Sequence, residues 1–186
     1  MMHPEEREFL SKFVSKRAPR VVMEIGTAYG GSLQLFCDAC PDDAKIISVD
    51  LPGGLLFGGG WPACPAWTMF FFDRFAKPGQ DMRYVRGDSH KQETIEWVNR
   101  VLDGRKIDLL FIDGDHSYTG TRLDYYNFIP FMASGGVIIF HDVNPNCGNN
   151  GSAKFWSELR PNLLLKTETQ NFHPEIPGLG LGILYL

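Results

Sequence analysis

The sequence predicts an α/β protein, a doubly wound and mostly parallel sheet with helices on both faces. Three observations carry this. Short apolar runs alternate with amphipathic segments along the whole chain. Several runs, at residues 21–25, 107–112 and 137–140, are too continuously apolar to keep one face in water, as expected of parallel strands covered on both sides. Each of the first five runs also hands over to a polar residue at its C-terminal end, the rim where ligands bind in sheets of this kind.

In chain order, residues 4–17 place Phe9, Leu10, Phe13 and Val14 at helical spacing and predict an amphipathic helix against a sheet edge. Residues 20–25 read as the first strand, 32–40 as a helix, and 45–50 as a second strand ending in Asp50. The segment 51–66 holds too many Gly and Pro for a helix and too many large apolar residues for a linker. Its Leu55, Leu56, Phe57 and Trp61 suit a lid over a ligand or a patch of core. A helix over 67–77, a strand over 82–86 and a helix over 92–102 follow. The strand 107–112, a helix over 119–132 and the strand 137–140 come next. A helix near 153–159 and strands near 163–167 and 179–185 close the chain. No repeat or linker divides it, so residues 1–186 read as a single domain, with the first 18 forming an N-terminal helix.

Composition narrows the function classes. A net charge of -4 argues against an electrostatic nucleic-acid binder, which normally shows a basic face. No apolar run is long enough to span a membrane, and the N-terminus lacks the layout of a signal peptide. The expected setting is therefore cytoplasmic, with a small molecule as partner; assembly with further copies of the chain stays open. Cys37, Cys40, Cys64 and Cys147 fit free thiols. The Cys37-x-x-Cys40 pair falls at a helix end and has no second pair to complete a zinc site.

The stretch 21–32 is the most informative. It reads as a buried strand, a turn with Gly26, Gly30 and Gly31, and the start of a helix, with Glu24 near the strand tip and Thr27 and Ser32 in the turn. The spacing is not the G-x-G-x-x-G that admits a pyrophosphate. A compact turn bearing an acid suits a ligand with a zwitterionic amino-acid end, and S-adenosylmethionine is the candidate. Asp50 lies 24 residues beyond Gly26, where a carboxylate meets ribose hydroxyls. Asp88 and Ser89, after the third strand, either approach an adenine or cap the next helix.

The densest polar segment is Asp113-Gly114-Asp115-His116. Its carboxylates suit a hard cation, His116 has the intrinsic pKa of a general base, and Asp115 is the alternative cap of the following helix. His141-Asp142 ends the fifth strand. With Asp113 it forms a candidate cation site from two adjacent strand ends; alternatively Asp142 orients His141. Oxygen ligands suit Mg²⁺, and the imidazole favours Mn²⁺, Fe²⁺ or Zn²⁺. His173 and Pro174 sit in a loop able to reach the same rim.

The runs at 24–32, 48–54, 86–90, 111–118 and 135–143 together resemble the class I S-adenosylmethionine-dependent methyltransferases. Within them they are similar to a small bacterial group that includes cephalosporin-hydroxylase-like and macrolide-sugar O-methyltransferases. The resemblance implies a Rossmann-like sheet of seven strands with the last antiparallel. It implies cofactor contacts from Glu24, Gly26, Thr27, Gly30, Ser32, Asp50, Asp88, Ser89 and Asp113. It also implies a metal at Asp113, His141 and Asp142, and a catalytic group at His116, with His141 as second choice. The expected reaction is O-methylation of a small hydroxylated metabolite, aided by a divalent cation such as Mg²⁺ or Mn²⁺. Two other readings remain: a metal-dependent hydroxylase or oxygenase, and a non-catalytic module that binds S-adenosylmethionine.

Overall fold

A computed structural model of the chain describes residues 2–51, 69–145, 151–162, 166–172, 174 and 179–186. Among the described residues, seven strands form one sheet in the order β3-β2-β1-β4-β5-β7-β6. They are β1 (Val21–Ile25), β2 (Lys45–Asp50), β3 (Asp81–Arg86), β4 (Ile107–Ile112), β5 (Met132–His141), β6 (Thr167–Gln170) and β7 (Leu181–Tyr185). The first five run parallel, and β7 lies antiparallel between β5 and β6. The strand order reverses between β1 and β4, so the rim above those two strands is where such a sheet opens a crevice.

Period-2 alternation sends each strand's side chains to two faces. Met23, Ile25, Leu110, Ile112, Ile138 and Phe140 face α4 (Gln92–Leu102), α5 (Tyr118–Phe128) and α6 (Gly151–Leu159). Val22, Ile46, Leu109, Phe111, Val137 and Ile139 face α1 (Pro4–Arg17), α2 (Gly31–Ala39) and α3 (Met69–Phe72). By the same parity Glu24, Asp113 and His141 continue the α1–α2 face at the rim. Leu33, Phe36 and Cys37 of α2 and its C-cap Cys40 recur at helical spacing and are all buried. Both described cysteines are free, and burial pushes their thiols up to about 12, which leaves them inert.

Several expectations need correction. The first helix covers a sheet face rather than an edge: Leu10 and Val14 lie fully buried among β1, β4, β5 and β7 residues. The helix expected to reach 132 stops at Phe128, and a 3-10 turn, Ile129–Phe131, replaces its end. Pro130 is the cause, since it has no N–H to donate and disfavours helical geometry in the residue before it. The strand that follows is longer than expected and takes in Gly135 and Gly136. The helix expected over 67–77 is described only as Met69–Phe72, followed by tight turns from Phe71 and Phe72 carbonyls to Arg74 and Phe75. Strand β6 begins at Thr167, where the expected strand ended. The lid segment lies outside the described residues apart from Leu51, as do Cys64, Cys147 and His173.

The centre of the α2 face is Phe36, fully buried and edge-on to Phe111 at 5.6 Å. Phe36→Ala should cost about 3–5 kcal/mol of stability, read as a shifted midpoint in urea denaturation with an unchanged slope.

Candidate functional site

The crevice begins at the switch point. Gly26 N–H donates to the Val49 carbonyl and Asp113 N–H to the Ile25 carbonyl, each at 2.9 Å, so both ladders run one residue past the strands. Gly26 has φ +96°, and a Cβ there would lie 2.0 Å from the Asp113 carbonyl oxygen. The loops after β1 and β4 therefore touch through a position that only glycine can fill. Gly30, also left-handed at φ +80°, caps α2 against the ring of Phe72.

Glu24 and Ser32, both expected at the cofactor, engage each other beneath the turn. Ser32 Oγ donates to one Glu24 oxygen and Ser48 Oγ to the other, both at 2.6 Å, and Glu24 is fully buried. Thr27 Oγ1 lies 2.5 Å from Ser48 Oγ, so β1, β2 and the start of α2 are bolted through one carboxyl. Burial drives the Glu24 pKa up to about 8, against the pull of its two hydroxyl partners. At the tip of β2, Asp50 accepts from Ala28 N–H at 2.8 Å and from its neighbour Leu51 N–H at 2.7 Å. Its carboxylate is thus locked across the turn.

After β3, Asp88 and Ser89 do not cap α4, whose N-cap is Lys91. Asp88 accepts from His90 N–H at 2.9 Å. Ser89 Oγ donates to the buried Asp124 of α5 at 2.6 Å, and His90 Nε2 lies 3.2 Å from the same Asp124 oxygen. That contact raises the His90 pKa and ties the loop to α5. The cap of α5 is Ser117, which accepts from Gly120 N–H at 3.0 Å. Asp115 instead accepts from Ser117 N–H and packs over Gly120, so the capping role read for Asp115 falls to Ser117.

Above β4 and β5 four of the expected residues converge. Asp113 Oδ1 lies 3.4 Å from His116 Nε2 and 3.2 Å from His141 Nδ1. The Asp142 oxygens lie 3.2 Å from His116 Nδ1 and 3.0 Å from His141 Nδ1. His141 and Asp142 are 4% and 6% exposed, whereas the His116 side chain is 41% exposed. Asp142 holds φ +59°, a strained backbone for a residue with a side chain. Burial opposes charge on Asp113, but His141 and His116 overcome it and hold the carboxyl well below its usual range. The bond to Asp113 raises His116; burial disfavours the His141 cation, and its carboxylates still carry it well above the usual imidazole range.

Among the described residues, Asp113, His141 and Asp142 can point one ligand atom each to within 4.8 Å of one another. Pro174 reaches this rim through its carbonyl, which accepts from Asn144 Nδ2 at 3.1 Å. One participant was missed. Glu6 of α1 lies fully buried with Oε2 3.5 Å from His141 Nε2. The available signal was its spacing: Glu6, Leu10 and Val14 recur every four residues, which puts an acid on the buried stripe.

Because folded Glu24 keeps a proton that the unfolded chain releases, stability present at low pH should be lost as pH rises from about 4.5 to about 8. Glu24→Gln, neutral throughout, should flatten that decline when urea midpoints are compared at pH 5, 6.5 and 8.

Known proteins share the sequence family and the fold. Residues 23–143 match the family described as a methyltransferase domain. The uncharacterized protein y4gI of Sinorhizobium fredii is 28% identical over 88% of this chain and 17% of its own length. The chain spans half or less of the curated relatives it matches. An O-methyltransferase from Bacillus cereus, solved with SAH, superposes with a TM-score of 0.72 at 15% identity, covering 100% of this chain and 82% of that one. CalS11, described as a TDP-rhamnose 3'-O-methyltransferase of calicheamicin biosynthesis, superposes with a TM-score of 0.66 at 16% identity, covering 99% and 81%. The fold is shared with both, and the match over residues 23–143 establishes that the chain belongs to the methyltransferase-domain family.

Proposed function

We propose that the chain transfers the methyl group of S-adenosylmethionine to a hydroxyl of a small metabolite. The observation that carries this reading is the convergence of Asp113, His116, His141 and Asp142 on the rim beside the glycine turn, with Asp50 locked on the adjoining strand end. The SAH bound by the Bacillus cereus enzyme and the sugar hydroxyl named for CalS11 support the cofactor and the class of acceptor.

In this reading Asp50 accepts from the ribose diol, and the backbone around Gly26, Thr27 and Gly30 cradles the amino-acid end. Asp88 and Ser89 border the adenine. The methyl carbon leaves the sulfonium sulfur for the acceptor oxygen, the sulfur keeps the bonding pair as a thioether, and the acceptor loses its proton. Such a displacement needs alignment and one proton acceptor. His116, in its neutral form, takes that proton: its ring is the most exposed side chain of the cluster, and the facing carboxylates stabilise the imidazolium that results.

Two carboxylates and one imidazole fit a divalent cation, and both ring nitrogens of His141 are buried without a hydrogen-bond partner. Asp113, His141 and Asp142 would hold the ion. When bound it lowers the pKa of the acceptor hydroxyl.

The test is methyl transfer from labelled S-adenosylmethionine to a panel of sugars and phenols, with and without Mn²⁺. A methylated acceptor together with stoichiometric SAH is expected; cofactor binding without transfer to any acceptor would leave only a binding module. His116→Ala should lower kcat by about 10²–10⁴-fold and leave SAH affinity in calorimetry nearly unchanged. Unchanged turnover would remove His116 from the mechanism.

A further inference from the structure

The buried carboxylate of Glu6 is joined to the cluster from behind. Oε1 accepts from Gly180 N–H at 2.6 Å and Oε2 from His3 N–H at 2.9 Å, within the capping box that starts α1. Gly180 has φ +98°, a backbone state natural to glycine, and its N–H is the one that meets the acid. Both oxygens are thus fixed before either meets the imidazole. Oε2 then lies 3.5 Å from His141 Nε2, an ion-pair contact longer than a short hydrogen bond.

The opposite edge of the ring meets two carboxylates: Nδ1 faces Asp142 at 3.0 Å and Asp113 at 3.2 Å, and both ring nitrogens are buried with no hydrogen bond of good geometry. Phe111 packs edge-on against the imidazole at 6.0 Å and holds its plane. One nitrogen therefore looks toward two carboxylates at the open rim, and the other toward a single carboxylate sealed under α1.

We propose that Glu6 is a positioning residue for the cation site, keeping the proton on His141 Nε2 so that Nδ1 is the atom offered to the ion. This rests on the cation reading given under the proposed function. A ligating histidine is oriented by whatever accepts from its other nitrogen, and such outer partners tune affinity about 10–100-fold. What is new is the source: the N-terminal helix, 135 residues away in sequence from His141, supplies the acceptor. Helix α1 is then part of the site's wiring as well as a cover for the sheet.

The experiment uses the full chain and two metals. Mn²⁺ affinity is measured by electron paramagnetic resonance for the native chain and Glu6→Gln, and ¹⁵N spectra of the histidines are recorded with Zn²⁺. Gln keeps an acceptor for Gly180 N–H but presents an N–H, not a lone pair, to both His141 and His3 N–H. Glu6→Gln should bind Mn²⁺ about 10–100-fold more weakly, with SAH affinity close to native and a lower thermal melt, because His3 N–H and the buried imidazole lose their carboxylate partner. In the native chain Zn²⁺ should shift His141 Nδ1 while Nε2 stays protonated. Equal Mn²⁺ affinity in Glu6→Gln overturns the role of Glu6 and leaves the cation reading standing. If that variant does not fold, the native spectrum decides: ligation through Nε2 overturns the proposal. A native chain that binds neither metal overturns the cation reading and this inference with it.

Discussion

The contact between the Gly26 backbone and the Asp113 carbonyl is the constraint on which the rest of the rim depends. At the switch in strand order the loops after β1 and β4 leave the sheet toward opposite faces, and a crevice opens between them. Here those loops still touch at their roots, through a position where a Cβ would fall 2.0 Å from a carbonyl oxygen. That contact brings the glycine turn, Asp50 and the Asp113–His116 loop around one opening. A site divided between distant segments thereby acquires a common floor.

Two kinds of buried charge stand on that floor, and they act differently. Glu24 is satisfied by hydroxyls alone, so desolvation wins and the carboxyl holds its proton into the neutral range. It serves as a neutral bolt joining β1, β2 and α2. Asp113 keeps 25% of its side chain exposed, and two imidazoles outweigh its desolvation and keep it ionised. Burying such pairs brings little net stability. Their value lies in fixing the orientation of groups that must meet a substrate. The left-handed backbone of Asp142 belongs to the same pattern, since local strain of this kind persists where the surrounding structure enforces a functional geometry.

Chain-local signals were enough for the rim but poor at showing what lies behind it. Alternation of apolar runs and helical stripes placed Glu24, Asp50, Asp88, Asp113 and His141-Asp142 at successive strand ends, because side-chain period and strand polarity follow from the backbone alone. Pro130, plain in the sequence, was underweighted against the apolar periodicity around it, and the α5 boundary moved as a result. Asp115 and Ser117 are both capping residues by type; which one serves was settled by where the chain leaves β4.

By itself the sequence determined the layered α/β class, the glycine turn that excludes a dinucleotide fingerprint, and the residue types on the rim. These depend on local backbone preference and on periodic burial, both carried within a few residues. Tertiary structure alone decided the pairings: Ser89 with Asp124, Glu24 with Ser32 and Ser48, and Glu6 with His141 and Gly180. Each joins groups on different elements, and nothing in a linear reading measures the distance between them. Buried polar groups must find partners wherever the folded chain provides them. The chemistry at the rim is therefore visible along the chain, and its orientation comes from contacts that exist only after folding.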